Sequence, residues 1–249
     1  VGSEMCIRDR ITLEQSKLTL SKDITVLSFS DSSMVDRNSS IIKVDSGWIV
    51  YSKNSESSIL SFTSDGQFSG YIGHRGNGPG EYTSVYDVVV NQKSKVLEVL
   101  SDGGIFCYTF GGDFLDKKEV TYPAFSFAID DRQNYWFYVG NNTTYGDAKM
   151  ICTDENIANV AYYLHQKSNM LPMVENNFGR NGEWLTFHES LNHDLYTIEN
   201  GKLDLSYAMD FPNYKLPKKL HELSGMEVIE ELQRSNYAST VSYTHLRAH

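Results

Sequence analysis

A strand–turn–strand unit recurs through this chain at a fixed interval, and that period restricts the fold more than any other feature. ILSFTSDGQF begins at Ile59, IFCYTFGGDF at Ile105, MICTDENIAN at Met150 and LYTIENGKLD at Leu195, so successive starts lie 46, 45 and 45 residues apart. In the first, second and fourth copies a short alternating strand runs into Asp65-Gly66, Gly111-Gly112 or Asn200-Gly201 and then into a second strand. That is the pattern of a tight β-hairpin. The third copy carries Asp154-Glu155-Asn156 and is the weakest member. Further strand-like runs precede each hairpin: IIKV and GWIVYS, YDVVVN and KVLEVLS, FSFAID and NYWFYVG, and NGEWLTFH. Four strands per period of this length predict an all-β β-propeller of four-stranded blades. A single blade cannot bury both of its faces, so blades must stack around an axis. A β-sandwich also uses short strands and turns but gives no reason for a fixed period.

Divided by the period, the chain predicts about five blades. The stretch LPKKLHELSGMEVIEELQRSN stands apart, with Leu216, Leu220, Leu223, Val228, Ile229 and Leu232 at near-helical spacing and Gly225 as a break. It predicts a short helical excursion near the C-terminus.

The two ends carry a different signal. One DNA string that encodes residues 1–10 encodes, on its opposite strand and from the third base, VSYTHLRAH, which is residues 241–249. Such an inverted pair resembles a sequencing-library adapter read through as protein, and segments of that kind are kept out of fold reasoning. The expected organisation is therefore adapter-like 1–10, one propeller domain over 11–240 that is cut at both ends, and adapter-like 241–249. Setting aside Glu4, Arg8, Asp9, Arg10 and Arg247 turns a formal net charge of −10 into −11. A surface this acidic argues against nucleic acid or an anionic membrane as partner. No apolar run has the roughly 18 residues of a membrane span. Cys107 and Cys152, left once Cys6 is set aside, have no metal-ligand spacing and are too few for a disulfide framework.

The segment GHRGNGPGEY, residues 73–82, poses the sharpest functional question. A phosphate cradle needs a helix behind it, whereas TSVYDVVV is β-patterned. The expected route runs from the outermost strand of one blade to the innermost strand of the next. Gly73, Gly76, Gly78 and Gly80 then permit positive φ and close passage, and Pro79 stiffens the turn. His74, Arg75, Asn77, Glu81 and Tyr82 are the candidate ligand-binding residues, on the expectation that the loop nears the channel mouth. Arg75 could pair with a carboxylate, stack on a sugar or pair with a neighbouring blade, Tyr82 could offer an apolar platform, and Glu81 could instead accept N–H bonds from the turn.

The block GHRGNGPGEYTSVYDVVVN resembles the G-x-x-G-x-GPGE-[FY] segment of six-bladed β-propeller proteins abundant in Bacteroidetes, relatives of the NHL-type propellers. The stretch NNFGRNGEWLTFHESLNHDLYTIENGKLDLSYAMDFPNYKLP resembles the same family more loosely, so the likeness runs from about residue 38 to 217. It implies an exported protein of the cell envelope, often lipid-anchored in its complete form, with no established enzymatic activity and more sequence on both sides.

The remaining motifs give weaker signals. HESLNHD spaces His188 and His193 by five, not the i, i+4 of a helical zinc site, in a strand–turn–strand context. The acid clusters Asp130-Asp131, Asp154-Glu155 and Glu227 to Glu231 lack a calcium loop with its central Gly. No G-x-S-x-G elbow is present, and Trp48, Trp136 and Trp184 are expected in inter-blade core. The expected function is thus a non-enzymatic binding or scaffolding propeller for a small molecule, glycan or protein, with no metal or cofactor. The alternatives are a metal-dependent hydrolase or lyase working in the channel, and a truncated product without function because its open ring exposes sheet edges.

Overall fold

The computed structural model describes residues 24–28, 39–53, 58–140, 146–165, 176–181, 184–189, 192–210, 218–223, 226–234, 238–242 and 245–248. Four antiparallel four-stranded sheets follow one another along the chain. Blade 1 is β1 (Ser40–Val44), β2 (Gly47–Tyr51), β3 (Ile59–Thr63) and β4 (Phe68–Ile72). Two short segments, β5 (His74–Arg75) and β6 (Glu81–Tyr82), pair in parallel before blade 2. That blade comprises β7 (Asp87–Asn91), β8 (Val96–Ser101), β9 (Gly104–Tyr108) and β10 (Phe114–Glu119). Blade 3 is β11 (Ser126–Ile129), β12 (Tyr135–Tyr138), β13 (Ala148–Thr153) and β14 (Ala161–His165), and blade 4 is β15 (Phe178–Asn181), β16 (Trp184–His188), β17 (Asp194–Glu199) and β18 (Lys202–Ala208). The first strands β7, β11 and β15 touch in succession, which makes them the inner strands of a propeller.

Residue alternation explains the stacking. Side chains of a strand point to opposite faces in turn, and in the middle strands of blades 2 and 3 both sets are mainly apolar. Leu97 and Val99 of β8 and Phe106 and Tyr108 of β9 pack with Ile49, Ile59 and Ile72 of blade 1. Leu100, Ile105 and Cys107 point the other way, onto Phe127, Tyr135 and Phe137 of blade 3. Trp136, Tyr138, Met150 and Cys152 then meet Leu185, Phe187 and Ile198 of blade 4. Each fully buried aliphatic or aromatic side chain contributes about 1.5–3 kcal/mol, so the inter-blade layers hold the fold. Both cysteines are free and buried here, and burial pushes each thiol up to about 12.

The four repeats are the four outer hairpins, β3–β4, β9–β10, β13–β14 and β17–β18. The weak third copy builds the same turn as the first two. Gly66 N–H donates to Thr63 O, Gly112 N–H to Thr109 O and Ile157 N–H to Asp154 O. Ile157 thus takes the positive φ, 59°, that glycines take in the first two blades. The Asp154 carboxylate offsets that conformation by accepting the N–H groups of Asn156 and Ala158 at 2.9 Å each.

The length-based count of about five blades gives way to four among the described residues. After blade 4 come a 3-10 turn (Lys218–Glu222), α1 (Met226–Arg234) and a hairpin of β19 (Ala238–Ser242) with β20 (His245–Ala248). The helical excursion is present and pairs Leu220 with Val228, with Leu223 and Leu232 beside them, while Ile229 is exposed and Leu216 and Gly225 lie outside the described residues.

Candidate functional site

The glycine loop is a joint between blades 1 and 2. Gly78 N–H donates to Glu81 Oε2 at 2.8 Å, Glu81 N–H to Gly78 O at 3.0 Å and Gly76 N–H to Tyr82 O at 3.1 Å. Glu81 therefore closes the turn, as its alternative reading held, and a Cβ on Gly76 would lie 1.9 Å from Glu81 Oε2. Gly73, at φ +61°, sits against the Tyr108 ring, and Gly80, at φ +75°, against Phe114, while Tyr108 OH donates to Gly80 O at 2.9 Å. The loop thus packs on the outer strands of blade 2.

This geometry corrects one expectation. Tyr82 is no surface platform: it is 0% exposed, its ring meets Tyr108 edge-on, and its hydroxyl donates to Ile72 O at 3.2 Å and accepts Ile59 N–H at 3.3 Å. None of His74, Arg75, Asn77, Glu81 and Tyr82 is among the residues that line the channel cavity, which the chain first joins after the loop at Asp87. His74, Arg75 and Asn77 are exposed on the loop's outer edge. Arg75 bonds within its own segment, Nε to Thr83 O at 3.0 Å, and not to a neighbouring blade.

The loop's tail is pinned by one carboxylate. Asp102, in the β8–β9 turn, accepts hydroxyl hydrogen bonds from Thr83 at 2.7 Å, Ser84 at 2.8 Å and Tyr86 at 2.5 Å. These bonds, Tyr86's first, hold its pKa below the usual carboxylate value. A depressed folded pKa adds stability above the unfolded value of about 3.9, lost as pH falls through the folded one. In urea melts, Asp102→Asn is therefore expected to be less stable than the parent near neutrality. The gap should narrow as pH falls below the unfolded value and through the lower folded one.

The channel itself supplies the site the sequence reading missed. A cavity of about 440 Å³ is lined by inner strands of all four blades, through Ile42, Val88, Phe127 and Phe178 among others. Its loop-side mouth is polar and cross-linked between blades. Asp87 accepts Lys53 Nζ at 2.8 Å and, across the interface, Phe127 N–H at 3.1 Å. Ser126 Oγ donates to Asn177 Oδ1 at 2.9 Å, and Asn177 Nδ2 donates to His188 O at 3.2 Å. Burial and the nearby Asp87 push the Tyr51 hydroxyl above the ordinary phenol range. Asp87, Ser126 and Asn177 head, or immediately precede, the inner strands of three consecutive blades. Aligning the repeats on their inner strands, and not on their hairpins, would have exposed this polar ring.

HESLNHD is strand, turn, strand, with residues 190–191 outside the described residues. Glu189 is buried at the interface of blades 3 and 4, accepting both contacts of Lys149 Nζ at 2.9 Å and Tyr138 OH at 2.6 Å. Burial lowers the His188 pKa. Among the described residues no group of three or more His, Cys, Asp or Glu is placed to hold a metal ion. Trp136 is fully buried, Trp48 half-buried, and Trp184 is 67% exposed instead of lying in the core. It is the first residue of blade 4's second strand, opposite Asn181, and stays out of the core that Leu185 and Phe187 form with blade 3.

Four-stranded blades with touching inner strands and a polar-mouthed central channel define a β-propeller. The chain belongs to the family described as Domain of unknown function (DUF4934), whose profile matches residues 8–246. Among solved structures it is similar to a candidate exported protein of Bacteroides fragilis NCTC 9343, with a TM-score of 0.73 and 15% identity. The match covers 86% of this chain and 64% of that one, so this chain spans just under two thirds of its length. A member of the DUF4221 family from Bacteroides vulgatus ATCC 8482 matches with a TM-score of 0.54 and 10% identity, over 86% of this chain and 68% of that one. At these identities the likeness is one of fold. No curated protein matches the sequence.

Proposed function

We propose that this protein is a non-enzymatic binding propeller of the bacterial cell envelope, related to the six-bladed, often lipid-anchored propellers, with the central channel as its recognition site. The observation that carries the reading is the channel: a cavity of small-ligand size, lined by inner strands of all four blades and bearing a cross-linked polar mouth. Cross-links between blades fix that mouth before any ligand arrives, which reduces the ordering cost of binding. The envelope location rests on the Bacteroidetes-type loop motif and on the description of the B. fragilis relative as a candidate exported protein. In this reading residues 1–10 and 241–249 lie outside the binding domain, His74, Arg75 and Asn77 form an outer contact edge, and Glu81 and Tyr82 hold the loop.

Asn176 lines the loop-side end of the channel and is exposed, so Asn176→Trp should narrow the mouth without cost to the fold. Peptide and glycan fractions from a Bacteroides cell envelope would be screened for a rise in Tm. The reading expects a fraction that stabilises the parent but not Asn176→Trp. Equal stabilisation of both would remove the channel from recognition, and chemical turnover of the bound component would overturn the non-enzymatic reading.

A further inference from the structure

We infer that a second opening, at the other end of the inner strands, is a binding site for neutral oligosaccharides, with Trp184 as its stacking platform. The inference rests on the reading of the propeller as a binding protein and assigns a site and ligand class to it. A cleft of about 510 Å³ lies among the turns of blades 2, 3 and 4, at the ends of β7, β11 and β15 marked by Val90, Ile129 and Arg180. Its size falls within the roughly 300–1,000 Å³ of small-ligand clefts.

Four features point to a sugar. First, Trp184 lines the cleft while 67% exposed. An indole left in water is a flat apolar surface with one polar edge, suited to the C–H face of a pyranose. Second, the apolar side chains of Val90, Ile129, Leu185 and Ile198 share the lining with planar polar groups. Third, two amides are held in place by turns. Gln133 and Asn200 sit at positive φ, 68° and 54°, in the left-handed region of their turns. Gln133 Oε1 accepts Asn91 Nδ2 at 3.0 Å from blade 2, and Asn200 Oδ1 accepts Arg132 NH2 at 3.1 Å across blades 3 and 4. With both carbonyl ends committed, the NH2 ends are the donors offered to a ligand, matching the acceptor lone pairs of sugar hydroxyls. Glu199 and Asp131 supply acceptors for the hydroxyl protons.

Fourth, the lining carries no excess of positive charge. Lys93 and Arg180 stand against Asp130, Asp131 and Glu199. Asp130 is consumed internally, accepting Arg132 N–H, Asn134 N–H and Nδ2–H, and Trp136 Nε1–H. The Arg180 guanidinium is tied to Ile129 O. A cleft without a positive excess does not select phosphate or sulfate, whereas hydroxyls paired with amides and carboxylates need none.

The test is an array printed with neutral and with sulfated oligosaccharides, probed with the parent, Trp184→Ala and Trp184→Phe. Because Trp184 is exposed, both variants should melt close to the parent. The expected result is retention of neutral oligosaccharides, weakened roughly tenfold or more by Trp184→Ala and less by Trp184→Phe. Retention of sulfated glycans alone, retention of none, or neutral binding indifferent to Trp184→Ala would each overturn the inference. Binding that survives Trp184→Ala but is lost in Asn176→Trp would remove this cleft and leave the channel reading standing.

Discussion

Lys149→Met is expected to destabilise the protein by about 3–5 kcal/mol, because it strands a buried carboxylate. Lys149 and Glu189 have side chains only 3% and 9% exposed, and Tyr138 OH adds a third contact to the same carboxylate. Three elements of two blades, β12, β13 and the segment after β16, converge on one charge pair. For a domain of this size each kcal/mol moves Tm by about 2–4 °C, so calorimetry resolves the effect easily. Lys149→Met with Glu189→Leu should recover much of the loss, since replacing both partners of a buried pair by apolar groups is often nearly neutral. Recovery stays incomplete because Tyr138 OH loses its Glu189 acceptor, which costs about 1–3 kcal/mol. Adding Tyr138→Phe should restore the remainder. If Lys149→Met melts with the parent, the pair does not hold blades 3 and 4 together.

The second large effect belongs to Gly73. With φ at +61° and a Cβ position 2.7 Å from two carbons of the Tyr108 ring, alanine meets both a backbone penalty and a clash. The first costs about 1–2 kcal/mol and the second about 1–3. Tyr108 cannot swing aside cheaply, being fully buried and bonded through its hydroxyl to Gly80 O. Gly146 provides the control, with φ +71° and open space around it. Gly146→Ala should show the backbone cost alone. Equal losses at the two positions, measured by urea unfolding, would mean that the loop does not press on blade 2.

The blade architecture was legible because it is written in local rules. Gly66, Gly112 and Gly201 supply positive φ at hairpin turns, and middle strands apolar on both faces announce burial on both sides. The third hairpin was faint because Ile157 takes a glycine's place there, with Asp154 providing the compensation. Among the described residues the length-based count falls to four because Lys218–Glu222 and Met226–Arg234 carry helical turns instead of strands. Tyr82 was misread for a different reason. An aromatic after a glycine loop looks the same whether it faces water or closes a strand end, and only the open backbone groups of Ile59 and Ile72 decide. The channel's polar ring was hidden because Asp87, Ser126 and Asn177 share a register but not a residue type. Trp184 followed the strand pattern correctly, yet it stays out of the core that Leu185 and Phe187 form with blade 3.

The claim at the centre of this account is that GHRGNGPGEY is a rigid joint and not a recognition loop. Amide hydrogen exchange of Gly76, Gly78 and Glu81 tests it most directly, since all three N–H groups are bonded within the loop. The account predicts protection comparable to that of β4 and β7, with exchange only through cooperative opening of blades 1 and 2. Exchange of these three amides at the rate of an open chain, while β4 and β7 stay protected, would contradict it.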